Sequence, residues 1–116
     1  MTNFRKNLDV AFVCPAYNEE ENINLLYAEC LQEINALQDR LNEITISWKL
    51  IISDNCSQDK TSQVILELSK TDHRVIGYRN MMNYGPDANG ICALRKVANE
   101  DAIIFLNADL EDPPRV

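Results

Sequence analysis

Short apolar runs alternate with longer amphipathic segments along the chain. Four apolar runs predict β-strands at residues 9–14, 44–53, 75–78 and 102–106, and we expect Pro15 to stop the first of them. Between the strands, apolar residues spaced three or four apart predict helices. The first helix is expected from residue 22 to about 42, and its buried stripe should comprise Ile23, Leu26, Cys30, Ile34, Leu37 and Leu41.

The two later helices are shorter. The residues expected to face inward are Val64, Ile65 and Leu68 in the second helix, and Ile91, Leu94, Val97 and Ala98 in the third. Residues 79–89 are expected to form a loop, because Gly85 and Pro86 are turn residues. Asn18 followed by Glu21 fits a capping box at the start of the first helix.

The predicted order of elements is therefore β-α-β-α-β-α-β. Strands that are apolar throughout, rather than alternating, are typical of a parallel sheet covered by helices on both faces. We predict an α/β fold, a Rossmann-like parallel sheet with flanking helices, and we expect residues 1–116 to form one unit because nothing between them resembles a linker. An exposed edge of such a sheet would favour homo-oligomers.

The net charge and the spacing of the cysteines indicate which ligands and metal sites the chain can have. The formal net charge is −7, from 11 basic and 18 acidic residues, which argues against nucleic acid because its binders present a basic face. A bound phosphate would need another counter-charge, such as a divalent metal. The four cysteines are scattered without a Cys-x-x-Cys pair, so we expect no zinc site or disulfide framework, and we place Cys14 and Cys30 in the core.

The sequence predicts no membrane segment in this chain, because it has no apolar run of about eighteen residues. The first seven residues are not followed by an apolar stretch long enough for a signal peptide. We therefore expect a cytoplasmic location, or the cytoplasmic face of a membrane if an anchor lies elsewhere in the complete protein.

Polar residues follow each predicted strand, at positions 15–19, 53–55, 79–80 and 107–112. In an open parallel sheet, ligands bind outside the carboxyl ends of the strands, so these residues are expected to gather around one site. The sequence has no glycine-rich phosphate loop, and residues 19–21 are three glutamates that would repel a phosphate. We therefore expect the first turn to hold a base and ribose, with Tyr17 stacking, although residues 18–21 also fit a simple helix cap.

The acidic exit from the fourth strand is the expected place for a diphosphate. Asp109 and Glu111 stand two residues apart, so in an extended segment both side chains can turn toward one ion. Carboxylate oxygens suit Mg²⁺ or Mn²⁺, and such an ion would offset the diphosphate charge. The alternative is a solvated acidic turn made rigid by Pro113 and Pro114.

Three motifs carry a resemblance to a known family. Residues 13–20, Val-Cys-Pro-Ala-Tyr-Asn-Glu-Glu, are similar to an opening strand with a Pro-x-Tyr-Asn-Glu turn. Residues 52–61, Ile-Ser-Asp-Asn-Cys-Ser-Gln-Asp-Lys-Thr, resemble a second motif that is usually Asp-Asp-Gly-Ser-x-Asp-x-Thr. Residues 106–114, Leu-Asn-Ala-Asp-Leu-Glu-Asp-Pro-Pro, resemble the metal motif Asp-Ala-Asp-Leu-Gln-Asp-Pro-Pro. In this order they resemble the inverting family-2 glycosyltransferases of GT-A fold, in particular the polyprenyl-phosphate sugar transferases.

The resemblance implies that the chain is the N-terminal, nucleotide-binding half of a GT-A fold. It implies a nucleotide-binding set comprising Pro15, Ala16, Tyr17, Asn18, Glu19, Asp54, Asn83, Gly85 and Ala108, and a metal-binding set comprising Asn107, Asp109 and Glu111. Within the first set, Pro15, Tyr17 and Glu19 would hold the base and ribose, and Asp54 would hydrogen-bond the base. The general base and the acceptor site lie downstream in this family, so no catalytic residue is assigned here.

Two departures from the family's pattern matter for the metal and the phosphate. Asn107 replaces the first Asp of the metal motif, so an uncharged amide oxygen stands where a carboxylate is usual. Pro86 stands where the loop after the third strand usually has Lys, which removes a cation that would touch phosphate; Arg79 or Arg95 could substitute for it.

Two functions remain open on these grounds. The first is metal-dependent transfer of a sugar from a UDP, GDP or dTDP sugar, with inversion, to an acceptor that by resemblance is a polyprenyl phosphate. The second is a module that binds a sugar nucleotide without turning it over.

Overall fold

A computed structural model describes residues 6–97 and 99–108 of the chain. The elements alternate as the sequence predicts. In chain order they are β1 Asn7–Ala16, α1 Ile23–Arg40, β2 Thr45–Asp54, α2 Thr61–Thr71, β3 Val75–Arg79, α3 Pro86–Leu94 and β4 Ala102–Phe105. Within these residues, no helix is both long and apolar enough to span a membrane.

The four strands form one parallel sheet in the order β3-β2-β1-β4. The chain therefore starts in the interior of the sheet, builds outward through β2 and β3, and then crosses back to the other side of β1. This reversal lies between β1 and β4, and in open α/β sheets ligands bind at such a switch point. The parallel sheet with flanking helices confirms the predicted fold class.

The core lies mainly on the face of the sheet covered by α1 and α2. Val10, Phe12 and Cys14 of β1 alternate onto this face, where they pack with the buried stripe of α1. That stripe consists of Ile23, Leu26, Cys30 and Ile34, as predicted, whereas Leu37 is only half-buried.

The opposite face is covered by α3 over a small area. Ala11 and Val13 of β1 pack there against Ala93 of α3. Small side chains at these positions allow the helix to approach the sheet closely. Gly90 continues this close approach, since a Cβ built on it would lie 3.4 Å from the ring of Phe105.

Burial on both faces holds for the interior strands but not for the edges. In β4, Ile103, Ile104 and Phe105 are 48 %, 40 % and 48 % exposed, and in β3 only Val75 is buried. The prediction that every strand is covered on both faces is therefore wrong for β3 and β4. Self-association through an exposed edge stays a prediction.

The first strand does not stop at Pro15, as the sequence suggested, but continues to Ala16. Pro15 pairs with Ser53 of β2, while β4 accompanies β1 only as far as Val13. A proline, which lacks an N–H, is therefore accommodated where β1 has a neighbour on one side only.

The third helix begins earlier and presents a different face than predicted. It starts at Pro86, inside the predicted loop, after Gly85 with a φ of 89°. The residues of α3 that face the sheet are Asn89, Gly90 and Ala93, whereas Ile91 and Leu94 are exposed. The helix ends at Leu94, so Val97 lies beyond it, and Ala98 is outside the described residues.

The predicted capping box at the first helix is also wrong. The N-cap of α1 is Asn22, and Asn18 lies in the preceding turn with a left-handed φ of 52°. The side chain of Asn18 instead accepts a hydrogen bond from the backbone N–H of Gln58 at 2.9 Å. Cys14 and Cys30 are buried as predicted, and all four cysteines are free.

Candidate functional site

An open cleft of about 800 Å³ lies at the carboxyl ends of β1 and β4, beside the start of α3. Its walls combine polar and apolar side chains. The lining residues are Pro15, Ala16, Tyr17, Glu19, Asn55, Asn83, Pro86, Asp87, Asn89, Gly90, Ile91, Leu94, Phe105, Asn107 and Ala108.

The structure brings most of the predicted binding residues together at this cleft. The predicted residues that line it are Pro15, Ala16, Tyr17, Glu19, Asn83, Asn107 and Ala108. Asn18 and Gly85 are sequence neighbours of lining residues without lining the cleft themselves, and Asp54 lines a separate cavity with Ser62 and Arg79. The predicted metal ligands Asp109 and Glu111 fall outside the described residues.

Hydrogen bonds connect the turn after β1 to the turn after β2. The backbone N–H of Asn18 donates to Ser57 Oγ at 2.9 Å, and that of Glu19 donates to Thr61 Oγ1 at 2.8 Å. The Thr61 hydroxyl in turn donates to Asp59 Oδ1 at 2.5 Å. These contacts hold the turn that presents Tyr17, whose side chain is 38 % exposed and available for stacking.

The carboxylate of Asp59 is the acceptor at the end of this chain of bonds. Burial alone would raise the pKa of Asp59, but hydrogen bonds from the Thr61 hydroxyl and from the backbone N–H groups of Thr61 and Glu20 hold it below its ordinary value. Asp59 is therefore ionised at neutral pH and keeps both turns in register.

Asp54 is buried on the side of β2 that faces α2 and β3. Its Oδ1 accepts bonds from the backbone N–H of Ser57, at 3.2 Å, and from the Ser57 hydroxyl. Its Oδ2 accepts from the Ser62 hydroxyl and from Arg79 Nη1, the latter at 3.0 Å. These bonds tie the end of β3 to the turn after β2. That Asp54 also hydrogen-bonds the base stays a prediction.

A network of asparagine amides forms the wall of the cleft between β2 and α3. Asn55 Nδ2 donates to Asn83 Oδ1 at 2.7 Å, and Asn80 Nδ2 donates to Asn55 Oδ1 at 3.0 Å. Asn80 Nδ2 also donates to Asn89 Oδ1 at 2.9 Å, which accepts from the Ser53 hydroxyl at 2.8 Å. Asn55 and Asn89 are each only 2 % exposed.

Sequence reasoning missed Asp87 and Asn89 as cleft residues, and it expected Asn55 at the strand ends without assigning it a binding role. The apolar spacing of the third helix assigned its inward face to Ile91 and Leu94, so a buried Asn89 was not expected. A signal was nevertheless present, because three asparagines fall within residues 80–89 and buried amides need hydrogen-bond partners. Asn55 also occupies the second Asp position of the family's second motif.

The cleft wall carries negative and neutral groups. Glu19 and Asp87 contribute carboxylates, and among residues 6–97 and 99–108 no lysine or arginine lines the cleft. Arg79 is paired with Asp54, Arg95 is exposed after α3, and neither arginine lines the cleft. The described part of the chain also contains no group of three or more His, Cys, Asp or Glu side chains placed to hold a metal.

Comparison with solved structures agrees with this architecture. S. aureus TarS, solved in complex with UDP, superposes with a TM-score of 0.61 at 22 % identity, over 88 % of this chain and 28 % of that one. The mannosyltransferase PcManGT from Pyrobaculum calidifontis, solved with GDP-Man and Mn²⁺, gives a TM-score of 0.62 at 20 % identity, over 86 % of this chain and 27 % of that one. At these identities the similarity shows the fold, which is that of GT-A glycosyltransferases.

Sequence comparison identifies relatives along nearly the whole chain. It is 30 % identical over 97 % of its length to an undecaprenyl-phosphate 4-deoxy-4-formamido-L-arabinose transferase of Photorhabdus laumondii, and 31 % identical over 98 % to one of Proteus mirabilis. It covers 32 % and 33 % of those proteins, so it spans about a third of the length of these curated relatives. The family description "Glycosyl transferase family 2" matches residues 11–116, and the chain therefore belongs to this family.

Proposed function

We propose that this chain forms the nucleotide-sugar-binding part of a glycosyltransferase that transfers a sugar, with inversion, from a nucleoside diphosphate donor to a polyprenyl phosphate. The observation that carries the proposal is the cleft at the switch point of the sheet, where Tyr17, Glu19 and Asn107 converge. The names of the relatives support the acceptor class, and the two neighbours solved with UDP and GDP-Man support the donor class.

The donor nucleotide would lie along the turn after β1. Tyr17 offers an exposed ring for the base, and Glu19 offers carboxylate oxygens to the ribose hydroxyls. Pro15 and Ala16 form the floor beneath them, and Ala108 lies close enough to the cleft for its backbone to meet the sugar nucleotide. On the other wall, Asn83 would contact the ligand and Gly85 would shape the loop that carries it.

Charge favours a metal-dependent version of this proposal. The described wall of the cleft offers carboxylates and amides but no cation, so a bound diphosphate needs a positive partner. Asn107, Asp109 and Glu111 supply amide and carboxylate oxygens, which are ligands that suit Mg²⁺ or Mn²⁺. Such an ion would neutralise charge on the diphosphate and stabilise it as a leaving group.

The remaining parts of the proposal concern what lies outside these residues. The general base and the acceptor site are assigned to the rest of the protein, so residues 1–116 alone should be inactive. We place the reaction on the cytoplasmic side of a membrane, because the donor is a soluble nucleotide sugar and the acceptor is a lipid phosphate.

The test measures donor binding and turnover in the full-length protein. Calorimetry with UDP, GDP and dTDP, with and without Mn²⁺, should show metal-dependent binding of one nucleotide. Asp109→Ala should abolish metal-dependent transfer, and Asp39→Ala, which removes an exposed carboxylate of α1, serves as the charge-matched control. Full activity of Asp109→Ala would refute the metal site.

A second candidate is a module that binds sugar nucleotides without turnover. Asn107, which stands where the family's motif has Asp, and Pro86, which stands where the loop has Lys, favour it. Donor binding by the full-length protein, with neither transfer nor hydrolysis under any metal condition, would support this function over the first.

A further inference from the structure

We propose that Asn55 is a positioning residue of the cleft, which sets the direction of the Asn83 amide so that Asn83 presents its NH₂ group to the nucleoside diphosphate. This inference rests on the proposed function, because it concerns how the same cleft reads its ligand.

Backbone groups fix which end of each amide is the oxygen. The N–H of Gly85 donates to Asn83 at 2.8 Å, and a backbone N–H can only donate, so the atom that faces it is Asn83 Oδ1. In the same way, the N–H of Tyr84 donates to Asn55 Oδ1 at 3.0 Å. The NH₂ group of Asn55 must then be the end that meets Asn83 Oδ1, at 2.7 Å.

Asn55 has no remaining hydrogen-bonding capacity for a ligand. Its oxygen accepts from Tyr84 and from Asn80, and its NH₂ donates to Asn83 Oδ1 and to the carbonyl oxygen of Gly85, the latter at 3.3 Å. An amide oxygen has two lone pairs and an amide nitrogen two hydrogens, so all four are used. Although Asn55 lines the cleft, its role is therefore to hold its neighbours.

Asn83 is in the opposite situation. Its oxygen is occupied by Asn55 and Gly85, while its NH₂ group makes no hydrogen bond with any residue that the structure describes. Asn83 is exposed and lines the cleft, so both N–H donors are available to a ligand there. Donors of this kind recognise acceptor oxygens, and in a nucleoside diphosphate these are base carbonyls and phosphate oxygens.

The far end of the network is anchored in the sheet. Asn80 joins Asn55 to Asn89, and the NH₂ group of Asn89 donates to the backbone oxygens of Ser53, at 3.0 Å, and Ala16, at 3.4 Å. These carbonyls belong to the ends of β1 and β2, so the network that orients the Asn83 amide is anchored to the sheet.

The residue type at position 55 determines which group faces the ligand. The second motif of the family usually has Asp at this position. A carboxylate cannot donate to Asn83 Oδ1, so two oxygens would face each other. Asn83 would then turn its NH₂ toward this carboxylate and its oxygen toward the cleft, at the cost of the bond that it accepts from the Gly85 N–H. With Asn at position 55, Asn83 therefore presents its NH₂ donor to the cleft, whereas with Asp at position 55 it would present its oxygen.

The test is a double-mutant cycle on the affinity of the full-length protein for UDP and GDP, measured by calorimetry with Mn²⁺. Asn83→Ala removes the donor and Asn55→Asp reverses the amide, and each should weaken binding about tenfold. In the Asn83→Ala background, Asn55→Asp should have no further effect, because its influence passes through Asn83. Gln58→Glu places the same added charge on an exposed side chain of the neighbouring turn and should leave affinity unchanged.

Comparing nucleosides with nucleoside diphosphates identifies the ligand atom that accepts from Asn83. An equal loss with uridine or guanosine and with the diphosphates assigns the base carbonyl, whereas a loss with the diphosphates alone assigns a phosphate oxygen. If Asn55→Asp fails to fold, Asn83→Asp tests the donor directly, since its carboxylate can still accept from Asn55 and Gly85.

The results that overturn the inference are distinct from those that overturn the function. Unchanged affinity in Asn83→Ala, or an equal effect of Asn55→Asp in both backgrounds, refutes the positioning role while nucleotide binding stands. A parent protein that binds no nucleoside diphosphate refutes the proposed function, and the inference with it.

Discussion

Replacing Asp54 separates two roles that the sequence and the structure suggest for the same carboxylate. Family resemblance predicts a hydrogen bond from Asp54 to the base of the donor. The structure places its side chain, 1 % exposed, among Ser57, Ser62 and Arg79. We therefore expect Asp54→Ala to destabilise the fold, whatever its effect on the nucleotide.

The expected loss of stability follows from the bonds that disappear. Asp54→Ala leaves the backbone N–H of Ser57 and the two hydroxyls without their acceptor, at about 1 kcal/mol for each bond. Arg79 is half-exposed and can turn to water, so its ion pair adds only about 0–1 kcal/mol. The total is about 3–4 kcal/mol, a large part of the stability of a typical domain, which is about 5–15 kcal/mol.

Asp54→Asn should be milder, because it keeps the oxygen that accepts from Ser57. Its NH₂ group replaces Oδ2, so the bond from Arg79 is lost while the Ser62 hydroxyl can rotate to accept. The expected cost is about 1–2 kcal/mol. Ser62→Ala, which removes one of the same bonds, is the matched control at about 1 kcal/mol.

Urea unfolding of the full-length protein measures these differences. Trp48, the one tryptophan in this sequence, is buried on β2 and reports on the sheet by fluorescence, with circular dichroism as a second probe. Nucleotide affinity is measured on the same samples below the unfolding transition. Unchanged midpoints together with a large loss of affinity in Asp54→Ala would refute the structural role and favour the direct contact with the base.

Two further predictions concern the packing beneath the site. Gly77→Ala should destabilise the fold by about 1–3 kcal/mol, because the added Cβ would lie 2.5 Å from Ile65 Cγ2. Urea unfolding should show a smaller cost of Gly77→Ala in an Ile65→Ala background, and an equal cost would contradict the clash. Burial raises the pKa of Cys30 from 9.0 to about 12, so the folded state keeps a proton that the unfolded chain releases. The contribution of the protonated Cys30 to the free energy of unfolding is complete below pH 9 and should fall above it by up to about 1.4 kcal/mol per pH unit. Unfolding at several alkaline pH values should show a shallower decline of stability in Cys30→Ala. An unchanged slope would rule out Cys30 as the cause of the decline.

The order of elements and the parallel sheet could be predicted because the interior strands are apolar on both faces. β1 and β2 lie inside the sheet, and residues such as Phe12, Val13 and Ile51 are buried on one face or the other, so the runs carry no polar alternation. The buried stripe of α1 could be predicted as well, since its spacing depends on helix geometry alone. These features are local consequences of burial, and a single sequence displays them.

The third helix was misread because its environment is not local. Its apolar residues Ile91 and Leu94 face the open cleft, while the polar Asn89 is buried by hydrogen bonds to Ser53 and Asn80. A pattern-based prediction assigns apolar residues to the core and polar residues to the solvent, so for such a helix it predicts the wrong buried face. The start of this helix at Pro86 could have been predicted, since proline is favoured in the first turn of a helix.

The site was predictable to the extent that strand ends and motifs define it. The turn after β1 and the residues after β4 were expected at one edge, and both line the cleft. The role of Asn55 could not be read in this way, because it depends on partners about thirty residues away in sequence that only the sheet brings near. The second motif does agree in backbone detail, since Cys56 has a φ of 61° at the position where the motif usually has Gly.

The departures from the family's pattern that change charge partly offset one another. Asn55 and Asn107 each replace a usual Asp, Glu111 replaces a usual Gln, and Pro86 replaces a usual Lys. On balance, the motifs carry one negative charge and one positive charge fewer than usual. A bound diphosphate would lose the attraction of the lysine and, on balance, the repulsion of one carboxylate, and at similar distances these two energies are comparable in size. The substitutions are thus what a cleft that still binds an anion would tolerate together, whereas loss of the lysine alone would weaken it. This balance favours a working donor site, tuned through neutral amides, over a site that has decayed.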